Sequence, residues 1–377
     1  MTTVLQIISD TNIGGGGRSL LNYLRYQNRE DFRSCVVLPR NSALKDPLQQ
    51  LGVDLYEIDA MADKSMDFKA IQPLRRIIRV VKPDLIHTHG AMAGRIAARL
   101  CGCKVLYTKH CAFPPGKLLS SPPGRLVGWT MDACLSDGVI AVGDSAREIL
   151  MQGGIPERKI HVMFNGVAPL NKPTREQREE LRAQYGFEPD DFVVGILARV
   201  EEYKGHSTLF DAAEKLMAGG RKVKLLVAGE GSQEQNLRLR ALSFPQGSVF
   251  FTGFVQDVEK ALWAMDVQVN ASTQSETSSL SLLEGMSIGL PAVVSNVGGN
   301  PLLIRDGENG LVFPKRNAHA LARCIARLMD DPEELSRMSR RSDEIFREEY
   351  TGEIFAKHME DVYSDVLKGA RHGREKG

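Results

Sequence analysis

Two glutamates, Glu276 and Glu284, stand eight residues apart in the stretch SETSSLSLLEGMSIGLPAVVSNVGG. A strand ending near Ser272 and a helix beginning close to Leu280 would leave Glu276 in the turn and Glu284 one or two turns inside the helix. An ionised carboxylate accepts two or more hydrogen bonds, so a pair in one cavity suits the hydroxyls of a sugar. The amides of Ser278, Ser279 and Leu280 would form a helix-start nest for a phosphate. The other chemistry open to two carboxylates is a hydrolase's acid and base. Phosphate-binding cations elsewhere in the chain argue against a simple glycosidase.

Those cations lie in ARVEEYKGH, with Arg199 at a strand's end and Lys204 in the loop before a helix. Arg binds a diphosphate through its planar fork and Lys as a point charge; solvated surface charges are the plain alternative. The run NIGGGG, Asn12 to Gly17, follows the first strand and opens a helix. Its glycines, Gly15 and Gly16 among them, let the backbone approach an anion at the helix N-terminus, or serve only as a flexible turn. It is neither the dinucleotide Gly-x-Gly-x-x-Gly fingerprint nor a Walker loop. The turns GEGS and FTGFV, the latter with Phe254 and Val255, end two strands where main-chain groups can meet a base edge. Strand alternation puts His87 and His89 of HTHG on one face, in a structural role or as a zinc pair. His110 closes the strand ending TKH where a cleft should lie, which makes it the better functional candidate.

The elements that must position these residues alternate. VLQII, SCVVLP, VDLYEI, DLIHTH, KVLYTKH, GVIAV and KIHVMF are short β-branched runs separated by helical stretches. After a Pro-rich, charged interval with a surface helix from Gly166, the pattern restarts in FVVGILARV, KVKLLVAGEG, SVFFTGFV, VQVNAS, PAVVSN and NGLVF. Such βαβ alternation predicts α/β architecture, each parallel sheet covered on both faces. The expected division is a Rossmann-like domain over 1–168, a second over 169–350, and a C-terminal helix over 351–377. That helix is able to pack back on the first domain, with the tail GARHGREKG disordered. A ligand would lie in the cleft where the strands' carboxyl ends face each other.

Composition excludes several classes. The 377 residues carry a net charge of +1, so no overall field recruits nucleic acid. MTTVLQIISD reads as a buried strand and not a signal peptide, and no run approaches the roughly 18 apolar residues of a membrane span. A cytoplasmic protein is expected. Peripheral membrane contact is left to FPPGKLLSSPPGRLVGW, whose cations and apolar residues suit an acceptor, an anionic surface or simple packing. Cys101, Cys103, His110 and Cys111 lack the paired spacing of a zinc site, so no metal is expected.

The Glu-x7-Glu stretch with GLPAVVSNVGG and DGENGLVF resembles the retaining nucleotide-sugar glycosyltransferases of family 4, which have the GT-B fold. The glycine loop, IHTHG, TKH, NGV at Asn165 to Val167, ARVEEYKGH, AGEG and FTGFV follow in the family's order. The resemblance implies a nucleoside diphosphate-sugar donor, a glycan or lipid-linked glycan acceptor in cell-surface polysaccharide or lipopolysaccharide synthesis, and no metal. It assigns the donor diphosphate to Gly15, Gly16, Arg199, Lys204, Ser279 and Leu280, and the ribose to Glu284. Glu276 would hold the transferred sugar, with His110 near the reacting centre and Phe254 and Val255 at the base. Thr277, Ser278 and Ser279 replace the family's usual Gly-aromatic-Gly, Asn300 and Pro301 follow the Gly-Gly where Glu is common, and Gly17 stands where an acidic residue is common. The departures put the choice of donor sugar in question. A nucleotide-sugar 2-epimerase on the same fold is the alternative, as is a non-catalytic sensor, against which the intact Arg199, Lys204, Glu276 and Glu284 argue.

Overall fold

The computed structural model describes residues 1–110 and 121–369. Each of the thirteen runs read above as strands is a strand. They are β1 (Thr2–Ile8), β2 (Phe32–Pro39), β3 (Asp54–Ile58), β4 (Leu85–His89), β5 (Lys104–Lys109), β6 (Gly138–Val142) and β7 (Ile160–Met163), then β8 (Phe192–Leu197), β9 (Val223–Ala228), β10 (Val249–Gly253), β11 (Val267–Asn270), β12 (Ala292–Ser295) and β13 (Gly310–Phe313). The chain divides into two compact units, Met1–Val167 with the segment from Gly352, and Ala168–Thr351.

In the first unit all ladders are parallel, in the order β3-β2-β1-β4-β5-β6-β7. The order reverses between β1 and β4, which is where open α/β sheets leave a crevice at their carboxyl ends. One face packs Val4, Ile8, Leu85 and Leu106 against helices Gly15–Tyr26 and Gly352–Lys368. The other packs Leu5, Ile7, Ile86 and Val105 against helices Ile71–Val81 and Met92–Leu100. Burial on both faces is why these strands read as continuous apolar runs. The NGV motif serves the glycine-loop helix, since Ser19 Oγ donates to Asn165 Oδ1 (2.8 Å) and Asn22 Nδ2 to the Gly166 carbonyl (2.9 Å).

The second unit is also wholly parallel, β10-β9-β8-β11-β12-β13, with its reversal between β8 and β11. Its helix Arg175–Gln184 lies on the surface as expected, with Leu181 and Arg182 as its buried residues. Arg182 is 4% exposed, and both it and Arg178 bind Asp266 (2.6 and 2.7 Å) and nearby carbonyls, anchoring one side of the helix to the Ala264–Asp266 segment.

The charged tail is two helices with different partners. Pro332–Glu349 stays with the second unit, and Gly352–Lys368 buries Phe355, Met359, Tyr363 and Val366 in the first. Gly352 starts that return in close contact with Tyr26, for a Cβ there would sit 2.1 Å from the tyrosine ring. The sequence GARHGREKG beyond Gly369 and the stretch Phe113 to Ser120 lie outside the described residues. The helix after it, Pro122–Leu135, exposes Leu126, Val127, Trp129 and Met131. Among the described residues no helix is long and apolar enough to cross a membrane.

Candidate active site

In the second unit the carboxyl ends of β8 and β11 gather a charged cluster. The turn after β11 brings Glu276 to 9% exposure, and Lys204 Nζ donates to its Oε2 and Oε1 at 2.8 and 3.2 Å. Ser272 Oγ donates to Oε2 at 2.5 Å, and Asn270 Nδ2 reaches Oε2 and Ser279 Oγ at 3.4 Å each. Lys204 and Glu276 are thus one buried ion pair, whose halves depend on each other for charge balance. Arg199 donates to the Tyr203 hydroxyl, and the Tyr203 carbonyl accepts from Thr273 N (2.8 Å), tying the two loops together.

Backbone packing holds the Glu276 turn. Gly298 lies at φ +56°, and a Cβ on it would be 1.9 Å from the Glu276 carbonyl oxygen. A Cβ on Gly299 would be 1.7 Å from that of Thr277, and Gly299 N donates to the Glu276 carbonyl at 3.1 Å. The paired glycines therefore act as the floor under Glu276. Glu284 is half-buried in helix Leu280–Ser287, whose N-cap is Ser279. Phe254 is 67% exposed with its N–H bonded to Glu230 Oε1 (2.9 Å), whereas Val255 is half-buried against a core cluster.

In the first unit the reversal between β1 and β4 gathers imidazoles. Registers Gln6↔His87, Ile8↔His89 and His89↔Thr108 put these polar residues on one face, and His110 follows just past β5. His89 Nδ1 lies 3.0 Å from His110 Nε2, and the two rings stack at 5.3 Å. Burial lowers His110 to about 4 and His87 to about 3, the latter aided by His110; His89 falls well below 6.5 through burial, then through His87 and His110. All three are neutral at pH 7. A Cβ on Gly16 would meet Asp10 Oδ2 and His110 Cδ2, each at 3.4 Å, so the glycine keeps a carboxyl and an imidazole close across the turn. Burial and then Asp63 raise the Asp10 carboxyl above its usual value.

The structure brings Lys204, Glu276 and Ser279 together in one unit, and Gly16 and His110 together in the other. Sequence reasoning missed Ser272, Asn270, Asp10, Gln6 and Tyr363; the polar Gln6 within the apolar run VLQII was the available signal. Among the described residues no three His, Cys, Asp or Glu side chains converge as a metal site requires. Cys111 lies outside those residues.

One more imidazole carries a pH prediction. His206 opens helix His206–Ala218 at 2% exposure with neither ring nitrogen hydrogen-bonded, and burial followed by Lys204 lowers it to about 4. Between that value and 6.5 the unfolded chain binds a proton that the folded one refuses, so stability falls as pH drops through this window. His206→Leu is expected to remove about 2 kcal/mol of the stability lost between pH 7 and 5. Urea midpoints across that range check it; a variant with an unchanged acid slope refutes it.

Both units match known families. Residues 13–169 match the model described as Glycosyltransferase Family 4, and residues 177–359 the one described as Glycosyl transferases group 1. The putative glycosyltransferase EpsD of Bacillus subtilis is 31% identical over 320 residues, covering 78% of this chain and 80% of its own. The alpha-monoglucosyldiacylglycerol synthase of Streptococcus pneumoniae is 26% identical over 331 residues, 82% of this chain and 72% of its own. Among solved structures, Anabaena HepE in complex with UDP superposes with a TM-score of 0.83 at 20% identity, over 97% of this chain and all (100%) of that one. With two wholly parallel Rossmann-like units and both family models matched in order, the chain belongs to the group 1, family 4 glycosyltransferases and has the GT-B fold.

Proposed function

We propose that this glycosyltransferase moves a sugar from a nucleoside diphosphate donor to a glycan acceptor, with retention at the anomeric carbon and without a metal. The observation that carries this reading is the buried Lys204–Glu276 pair, walled by Ser272 and Asn270, at the point where the second sheet reverses. A carboxylate there accepts sugar hydroxyls, while Lys204, Arg199 and the amides opening helix Leu280–Ser287 offset charge on a departing diphosphate. Glu284 holds the ribose and the turn at Phe254 and Val255 meets the base. His110 lies near the reacting sugar. Asp10 beside Gly16 favours hydroxyls over phosphate at that end of the glycine turn, since a carboxyl repels an anion. The HepE complex with UDP and the glycolipid named for the pneumococcal relative support a nucleotide-sugar donor and a surface glycan or lipid-borne acceptor. The exposed Leu126, Val127, Trp129 and Met131 support work at the inner face of the cytoplasmic membrane.

The test is a panel of UDP-, GDP- and ADP-sugars, each with and without a lipid-glycan extract, in excess chelator. Nucleotide should appear only with acceptor, and the new linkage should keep the donor's anomeric configuration. Loss of activity in chelator, restored by manganese, ends the metal-free part; an acceptor-independent epimer ends the transferase reading.

A further inference from the structure

Asp266 and Pro291 stand just before β11 and β12, at the amino ends of the second sheet. That is the end opposite the one carrying Lys204 and Glu276. Between them and helix Pro332–Glu349 the second unit holds a hollow of about 260 Å³. Leu262, Met265 and Leu290 line it with buried apolar side chains. Trp263 lines it too, and its indole N–H is spent on the Asn171 carbonyl (2.8 Å), so what it lends the hollow is apolar ring. The size falls just under the range of drug-sized sites and suits a single ring better than a nucleotide.

The polar groups around the hollow have capacity left over. Arg178 gives Nε to the Trp263 carbonyl (3.1 Å) and Nη2 to the Met265 carbonyl and Asp266 Oδ1 (2.8 and 2.7 Å). Among the described residues its Nη1 has no acceptor. Ser336 Oγ accepts from Arg340 Nη1 (3.0 Å) and keeps its own hydrogen to give. Ser339, which also lines the hollow, has no side-chain partner among the described residues. All three groups are donors. Charge points the same way, for Arg178 and Arg182 share Asp266 (2.7 and 2.6 Å), two cations on one carboxylate. Spare donors and surplus positive charge ask for an anionic acceptor, and the indole asks for an apolar face. A simple anion would satisfy the first and leave Trp263 bare. A pyranose ring presents C–H bonds to an aromatic face, and a carboxylate on that ring supplies the acceptor.

We propose that this hollow is a second, non-catalytic glycan site that binds a sugar ring bearing a carboxylate, with Trp263 against the ring and Arg178, Ser336 and Ser339 on its oxygens. The site stands whichever donor and acceptor the cluster around Glu276 serves. An acidic polymer held there would stay near the enzyme between turnovers through effective concentration, without any change in the chemistry of transfer.

The test is ligand-observed NMR titration of the full chain with methyl glucuronide, methyl glucoside and acetate, beside nucleotide titration. The glucuronide should bind about tenfold or more tighter than the glucoside, the margin that one charge-assisted hydrogen bond supplies. Acetate should bind no better than the glucoside, since it has no ring for Trp263. Ser336 is exposed on its helix, so Ser336→Trp should fold and fill the hollow. That variant should lose glucuronide binding and keep nucleotide affinity unchanged. Arg178→Gln should bring the glucuronide down to the level of the glucoside. Four results each overturn the proposal: no glucuronide binding by wild type, equal affinity for glucuronide and glucoside, acetate binding as tight as glucuronide, or unaltered glucuronide binding by Ser336→Trp. Should Arg178→Gln fail to fold, the wild-type series and Ser336→Trp decide alone.

Discussion

Glu276→Gln and Lys204→Met are each expected to lower kcat/KM by about 10²–10³, and the double variant to lose hardly more than either single one. The two residues are 72 apart in sequence, yet Lys204 Nζ sits 2.8 Å from Glu276 Oε2 with both side chains mostly buried, 18% and 9% exposed. Removing one charge leaves the other uncompensated, so each single variant bears its own loss and its partner's displacement. Read from motifs, the lysine served the diphosphate and the glutamate the sugar. The ion pair makes them one unit, so the double-mutant cycle should show a coupling about as large as one single loss, about 3–4 kcal/mol. The cycle is run on kcat/KM with free nucleotide affinity measured alongside. Strictly additive losses would separate the two roles again.

Gly299→Ala is expected to cost about 3 kcal/mol of stability and to depress turnover with it. The new methyl would fall 1.7 Å from the Thr277 carbonyl oxygen, and that atom is backbone with no rotamer to yield. Either the Glu276 turn or the segment after β12 must move, and movement of the turn carries Glu276 away from Lys204 and Ser272. Gly186→Ala is the comparison. Gly186 has φ +74° but nothing within 4 Å of an added methyl, so that variant should show only the left-handed backbone penalty of about 1 kcal/mol. Denaturant midpoints and kcat/KM on both variants decide between them. Equal costs at the two positions would mean that the floor under Glu276 is not tight.

Much of the fold was legible because it is written locally. VLQII, KVLYT, GVIAV and PAVVS announce strands buried on both faces, and amphipathic stretches such as LRRIIRVV announce the helices that cover them. The glutamate spacing, the Lys204 loop and the helix from Leu280 could be placed on elements for the same reason, since each depends on neighbours within a few turns. By itself, then, the sequence determined the α/β class, the restart of the pattern near Phe192, the family, and the short list of residues fit for phosphate and hydroxyl chemistry.

Only the tertiary structure decided how those residues meet. Parallel ladders join strands through crossovers, so the pairing Gln6↔His87 and the chain onward to His110 follow from the order β1-β4-β5, which no local pattern encodes. The tail's charges and apolar positions look alike from Pro332 to Lys368, yet the break at Tyr350 to Gly352 sends one helix to each unit and brings Tyr363 beneath the imidazoles. Gly298 and Gly299 read as an ordinary turn until the Glu276 carbonyl is seen against them. The physical reason is common to all three cases. Local patterns report how much of a residue is buried and with what period, whereas register, crossover and close backbone approach determine which distant atoms share that burial.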